Sequence, residues 1–410
     1  MAKKQSKKQY DLVIMGATGF TGKWVAKHLF DHYSNGDLNW AIAGRNSDKM
    51  NDVRDFIGDS SASIDGVLAD SSDEASLLEL VQSTKVIIST VGPYALHGSL
   101  LVRLCAEAGT HYVDLCGETP WMREMIDAHQ VAAEKSGAKI VHSCGFDSVP
   151  SDMGVFFTQQ QAQKTFSKPL RSVCYQLIKA KGGISGGTIA SMMNIVKLAV
   201  KDKSIRKLLA NPYALNPDPS FKGPDKGDQM SAKFSKVLDK WTAPFVMAGV
   251  NTRIVRRSNA LLDFSYGEDF RYSEVMVTSK GAGGYLSAKA ISGGVKTIVV
   301  TSVTEVGRKF LGIFLPAQGE GPKVDPENPG FYHIQFNGET ESGESLVTKL
   351  LGDGDPGYGS TSKMLAESGV CLALDSLTTG GGFWTPASAL GDAYLKRLQD
   401  KGGLSFAIVS

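Results

Sequence analysis

Over the first third of the chain, short unbroken apolar runs alternate with stretches of helical periodicity. The runs at residues 11–15, 39–43, 64–68, 85–90, 112–115 and 139–143 read as strands. Between them apolar positions recur three and four apart, as in Val25 and Leu29, in Leu77, Leu78 and Val81, in Leu100, Leu101, Leu104 and Ala108, and in Met122, Met125, Ile126, His129 and Ala133. Strands without polar alternation need cover on both faces. Helices between successive strands supply it, so the pattern predicts an α/β, doubly wound parallel sheet over residues 10–150.

After Pro150 the pattern loosens into a mixed α+β unit. Strands are expected at residues 171–180, 258–265, 272–279, 331–340 and 345–351, and helices at 187–201, 295–310, 360–374 and 385–399. The division expected is a flexible Lys-rich start at 1–9, the parallel-sheet domain at 10–150, a substrate and oligomerisation domain at 151–380, and a C-terminal segment at 381–410 that returns to the first domain. The Pro- and Gly-rich connectors 211–227 and 316–330 read as surface loops. In 296–315 the residues Val299, Ser302, Val303, Val306 and Phe310 share one helical face with Val295 and Ile298 just before and inside it. That face is expected to turn to the core, the alternative being a helix lying on a bilayer.

Composition removes several classes. The formal charge of the 410 residues is +2, and Lys3, Lys4, Lys7 and Lys8 supply four positive charges by themselves, so no nucleic-acid surface is indicated. Five cysteines form an odd set without CxxC spacing, which argues against zinc and against a disulfide framework, and for a reducing compartment. The apolar stretch behind the basic start runs only from Leu12 to Met15, too short for a signal peptide, and no stretch reaches a membrane span. A cytoplasmic protein is expected. His28 and His32 have metal-compatible spacing but no third ligand, so a solvated helix face is the reading and no metal is expected.

The first strand runs directly into Gly16, Ala17, Thr18, Gly19, Phe20, Thr21 and Gly22, which open the first helix. Glycines there permit the tight turn, let backbone amides approach a pyrophosphate, and let helix and strand pack closely, while the helix N-terminus favours negative charge. Strand before and helix after complete the dinucleotide-binding context. The second strand ends in Arg45 and Asn46 where an NAD site places a carboxylate, which favours NADP (NADPH); the alternative is a solvated arginine with either cofactor bound. Asp70 at the third strand end is placed at the adenine edge. Val91, Gly92, Pro93 and Tyr94 at the fourth are placed at the nicotinamide.

In combination these residues resemble a known family. GATGFTG, AGR, VGPY, DLCGE (residues 114–118), HSCGFDSVPSD (142–152), LPAQGEGP (315–322), GDPGYGSTSKMLAES (354–368) and GGFWTPA (381–387) are similar to the saccharopine dehydrogenase-like oxidoreductases, including the trans-acting enoyl reductases. The resemblance covers almost the whole chain. It implies a Rossmann-type NADP-binding domain joined to a saccharopine-reductase-like α+β domain, a role in lipid or glycolipid metabolism, and in some members association with membranes or lipid droplets. It does not by itself transfer a catalytic set.

Chemistry is therefore read from the residues. Tyr94 is the first candidate for orienting or protonating substrate, against simple aromatic packing over the cofactor. His142 and Asp147 end the sixth strand beside the carboxylates of Asp114 and Glu118, and form an acid–base inventory for the same crevice. Capping of the next helix is the competing role for Asp147 and Ser148. Cys116 and Cys144 read as small buried residues. Thr385 and Pro386 read as the start of a helix. The expected partner is a small-molecule or acyl-chain substrate, with a homodimer and a membrane or lipid-droplet periphery as further expectations and no nucleic acid. Three functions remain open: an NADPH-dependent enoyl reductase on a lipid or polyketide-derived chain, a saccharopine-type amino acid dehydrogenase, and a dinucleotide-binding protein without turnover.

Overall fold

A computed structural model describes residues 8–182, 186–314 and 329–409 of the chain. The first region contains β1 (Tyr10–Met15), α1 (Phe20–Tyr33), β2 (Trp40–Gly44), α2 (Ser47–Ile57), β3 (Asp65–Leu68), α3 (Glu74–Ser83), β4 (Thr84–Ser89), α4 (Tyr94–His97), α5 (Ser99–Ala108), β5 (His111–Asp114), α6 (Thr119–Ser136) and β6 (Lys139–Val141). There follow α7 (Val149–Phe166), β7 (Ser172–Lys181), α8 (Gly186–Lys201), α9 (Lys203–Ala210), β8 (Lys233–Ser235), β9 (Lys240–Pro244), α10 (Ala248–Leu261) and β10 (Arg271–Val277). The rest comprises α11 (Gly281–Ser302), α12 (Glu305–Phe314), β11 (Phe331–Glu339), β12 (Ser345–Gly352), α13 (Gly359–Leu374), β13 (Gly382–Trp384), α14 (Pro386–Asp400) and β14 (Leu404–Ile408).

The first sheet has seven strands in the order β13-β6-β5-β4-β1-β2-β3, and every pair in it is parallel. The six strands read from the sequence are all present. Chain order reverses between β1 and β4, and the crevice at their carboxyl ends is where ligands sit in such sheets. Leu12, Val13, Ile14, Ile42, Val86, Ile87 and Ile88 are fully buried, as two-sided cover requires. Part of that cover is α13, which passes so close that a Cβ on Gly369 would stand 2.6 Å from Ile88 Cδ1. Helix ends follow local chemistry. Asn46 Oδ1 accepts the Lys49 amide at the start of α2, and Thr385 forms a capping box with Ser388, with Pro386 at the first helical position.

The second sheet, β14-β12-β11-β7-β10-β9-β8, is antiparallel except for the β7–β10 pair. Period-two burial along β11 and β12 shows one face packed and one open. Strand β13 thus joins the first sheet and β14 the second, so the C-terminal residues serve both. Across this junction lies a buried polar cluster. The Glu367 carboxylate of α13 accepts from Tyr33 Oη at 2.9 Å, lies 2.8 Å from His28 Nε2 and 3.4 Å from Arg397 Nη1, and Arg397 also holds Asp375.

Several expectations need correction. Residues 258–265 are not a strand. They are the last turn of α10 and a turn beyond it, with Ser258 turned inward onto Asp152 and Thr385. The helix expected at 295–310 starts earlier and breaks near residue 303 into α11 and α12, and its apolar face is not covered. Ser302 is buried, whereas Val299, Val303 and Val306 are exposed. The connector 211–227 is partly interior, with Leu215 and Asn216 buried. His28 is buried against Glu367 rather than solvated. Lys8, at the expected flexible start, donates to Val81 O and Thr110 Oγ1. Residues 1–7 and the motif at 315–322 lie outside the described residues.

Candidate functional site

A cavity of about 530 Å³ opens at the carboxyl ends of β1, β2, β4 and β5. Its floor is the β1–α1 turn, with Gly16, Thr18, Gly19, Phe20, Thr21 and Gly22 in the wall. The glycines are sterically required: Gly16 has φ of +89° and a Cβ there would stand 2.7 Å from Val91 Cγ2, while one on Gly22 would stand 2.3 Å from Gly16 O. Thr90 Oγ1 donates to Gly16 O at 2.9 Å and ties the turn to β4. Gly19 caps helix α1 without a side-chain hydrogen bond and the first turn holds no acid, which leaves its amides and dipole for an anion. Tyr358 meets the edge of Phe20 at 4.3 Å between ring centroids.

Arg45 lines the cavity at the end of β2 and makes no hydrogen bond or ion pair among the described residues. It is the one lysine or arginine in the described wall. A guanidinium at this strand end, near enough to Asp70 for its charge to help lower that carboxyl but hydrogen-bonded to no acid among the described residues, suits a ribose 2′-phosphate. Arg45→Ala is expected to weaken NADPH at least tenfold more than NADH, read by fluorescence titration of both dinucleotides. Equal loss for both would remove the 2′-phosphate role.

The other sequence-derived positions divide. Val91, Gly92, Tyr94 and Asp147 line the same cavity. Ala17, Asn46, Asp70, Pro93 and His142 do not. Asn46 is engaged as the α2 cap, and Asp70 accepts from the amide and hydroxyl of Ser72, which holds its carboxyl below the usual range. Tyr94 borders the cavity with its ring only. Its hydroxyl points into the core, donates to Ser89 O at 3.0 Å and accepts from the Leu115 amide at 3.3 Å. Burial and the nearby Asp114 push that phenol well up, so the aromatic-packing role fits and the proton-donor role does not. His142 is turned into the core, with Nδ1 2.7 Å from Asp114 Oδ2 and its ring among Tyr112, Trp121 and Phe383. Strand β6 aims it away from the crevice.

Asp147 is different. It lines the cavity, its carboxyl lies beside Gly117 and Gly145, and Ser148, not Asp147, occupies the cap of α7, where it makes no capping bond. Burial, reinforced by Asp114 and opposed by its own backbone amide, pushes the carboxyl up to about 7. Asp152 and Glu274 are also pushed up to about 7 by burial, but neither lines the cavity and each is held by interior hydrogen bonds.

The roof comes from residues beyond Pro150. It consists of Ser191, Met192, Ile195 and Val196 of α8, Leu209 of α9, and Val246, Met247 and Val250 around the start of α10. Buried Glu118 fixes roof to floor: its carboxylate accepts the Tyr94 amide at 2.8 Å, the Ala95 amide at 3.2 Å and the Ser191 hydroxyl at 2.8 Å. The arginines of α10 do not line the cavity. Arg253 and Arg256 are buried on α10 against Asp228 and Asp225, and Arg257 donates to Leu215 O and Phe383 O. Among the described residues no group of three or more His, Cys, Asp or Glu is placed to hold a metal, and no helix is long and apolar enough to cross a membrane.

Residues 12–141 match the family model of the saccharopine dehydrogenase NADP binding domain. A Mycobacterium tuberculosis protein (strain H37Rv) named provisionally as a trans-acting enoyl reductase is 39% identical over 96% of both chains. A protein of Mycobacterium ulcerans named trans-acting enoyl reductase is 35% identical over 97% of both. Apo saccharopine dehydrogenase (L-Glu forming) from Saccharomyces cerevisiae has the same fold, with a TM-score of 0.56 at 15% identity, covering 98% of this chain and 100% of that one.

Proposed function

The chain belongs to the family of trans-acting enoyl reductases, and from that premise we propose that it reduces the carbon–carbon double bond of an enone-like acyl chain, lipid- or polyketide-derived, in lipid or glycolipid assembly. It is an NADP(H)-dependent oxidoreductase with a saccharopine dehydrogenase-type dinucleotide domain. The observation that carries the substrate reading is the cavity wall: opposite the glycine turn it is Met192, Ile195, Val196, Leu209, Val246 and Met247, and Arg45 is its one lysine or arginine among the described residues. A saccharopine-type substrate would need fixed cations for its carboxylates, and the arginines of α10 are buried and already paired.

When bound, NADPH supplies a hydride. The amides of the β1–α1 turn and the α1 N-terminus would hold its pyrophosphate, Arg45 would hold the 2′-phosphate, and Val91 and Gly92, in the cavity wall, would border the nicotinamide end. The apolar roof orients the chain and excludes water. Asp147, carrying a proton near neutral pH, delivers it to the carbon next to the carbonyl as the neighbouring carbon is reduced, and takes a replacement proton from solvent.

NADPH oxidation followed with acyl-chain enones and, separately, with saccharopine and its precursors tests this. Turnover of the enones alone is expected. Turnover of the amino acids alone would overturn the reading, and tight NADPH binding without turnover of either would make the chain a binding protein.

A further inference from the structure

Two loops carry Asp147 to the cavity, residues 115–118 after β5 and 142–148 after β6. Its carboxyl lies between them: a Cβ on Gly145 would stand 2.8 Å from Asp147 Oδ2, and one on Gly117 would stand 3.7 Å from Oδ1. A single side chain holds both loops. Asp114, the last residue of β5 and fully buried, accepts the Cys116 amide at 3.0 Å and the Ser143 amide at 3.1 Å on Oδ1, and its Oδ2 lies 2.7 Å from His142 Nδ1. Its backbone carbonyl accepts the Cys144 amide at 2.6 Å. Between these bonds Ser143 is held at a φ of +63°, a costly conformation for a serine, and its hydroxyl donates across to Cys116 O at 2.5 Å. The two loops are thus locked to each other around Asp114, directly behind the acid that lines the cavity.

We propose that Asp114 is the positioning residue of the proton donor: it locks the two loops that cradle Asp147 and sets a negative charge behind that carboxyl, so that Asp147 keeps its proton until substrate takes it. The inference rests on the reading of Asp147 as the donor. Three donors converge on Asp114, which suits the anion, whereas Asp147 receives only its own backbone amide. Two carboxyls sharing a dry site do not both ionise readily, and the one with fewer donors retains the proton. The charge of Asp114 acts on Asp147 in that direction. The other titratable groups around Asp147 bring no competing charge close to it. Tyr94 and Cys116 are pushed well up by burial and stay protonated. His142 meets Asp114 and points into the core, and Glu118 is spent on the Tyr94 and Ala95 amides and on Ser191. From the start of α13, Tyr358 and Thr361 bring hydroxyls, while Arg45 and His97 line the wall from the ends of β2 and α4.

The test is Asp114→Asn, which removes the charge and keeps the shape: the amide oxygen still accepts both backbone amides, and the amide nitrogen can donate to His142 in its other tautomer. In the cofactor-free full chain, the carbon-13 carboxyl signal of Asp147, identified as the one missing from Asp147→Asn, should titrate roughly 0.5–1 pH units lower in this variant than in the parent. With NADPH and a saturating enone, the falling limb of kcat should move to lower pH by the same amount. That leaves kcat nearly unchanged near pH 5 and about three- to tenfold lower near pH 8, with KM for NADPH unchanged. The parent supplies a measurement that does not depend on how the variant folds: its Asp114 carboxyl signal should shift as Asp147 titrates. Two signals that titrate independently in the parent, or a kcat lowered equally at every pH with the Asp147 signal unmoved, would reduce Asp114 to structural support and overturn the proposal. A limb abolished by Asp147→Asn but unmoved by Asp114→Asn would overturn this proposal alone. A limb that persists in Asp147→Asn would overturn it together with the donor reading.

Discussion

Replacing Asp147 by Asn is expected to lower kcat by roughly 10²- to 10⁴-fold while NADPH affinity is unchanged, because the amide keeps the volume and loses the acidic proton. Asp147 lines the cavity and burial has moved its carboxyl up to about 7, so a large share of molecules hold the proton at neutral pH. The direction of the pH dependence follows. The proton-carrying form is the active one, so kcat should hold at acid pH and fall as pH rises through about 7, and this falling limb should vanish in Asp147→Asn. Stopped-flow NADPH oxidation across pH with a saturating enone reads both effects. A kcat near that of the parent, or a falling limb that persists in the variant, would remove Asp147 from proton delivery. A parallel loss of NADPH affinity would make it a support for the cofactor instead.

The second large effect is on stability. Glu367→Ala is expected to destabilise the fold by about 3–5 kcal/mol, the range for removing one partner from a buried ionic cluster. The carboxylate is fully buried, and its removal leaves Tyr33 Oη, His28 and the Arg397 guanidinium short of a partner in the interior. These groups come from α1, α13 and α14, so the loss falls on the seam between the cofactor domain and the C-terminal helices. Urea unfolding followed by circular dichroism measures it, with the midpoint shifted and the slope preserved. Glu367→Gln, which retains acceptors for Tyr33, should lose less. A change within about 0.5 kcal/mol for the alanine variant would show that the cluster contributes little.

What was legible differs by element. The β1 turn could be read because glycine spacing, a preceding apolar strand and a following helix are all local features, and the same holds for Thr385 and Pro386 at α14. Helix α10 could not. Its Arg253, Arg256 and Arg257 are buried along with Val250, Ile254 and Val255, a helix buried all round that makes sense only once Asp225, Asp228 and the carbonyls of a distant connector are brought against it. His142 and Asp147 are five residues apart at one strand end, yet one is buried beside Asp114 and the other lines the cavity. Strand β13 is too short to announce itself, and its place beside β6 depends on pairing with a segment over 200 residues earlier.

By itself the sequence determined the parallel sheet, its cofactor turn and the arginine at the second strand end, because apolar runs, glycine spacing and strand-end chemistry act over a few residues. Tertiary structure alone decided which acid faces the cavity, that Tyr94 gives it a ring and not a hydroxyl, and that α8 and α9 roof it. The apolar face of residues 295–310 was visible as a pattern, but only the tertiary structure broke it at 303 and left Val299, Val303 and Val306 exposed. Those outcomes depend on contacts between residues far apart in the chain, and a side chain's accessibility and pKa are properties of the neighbours that folding brings to it.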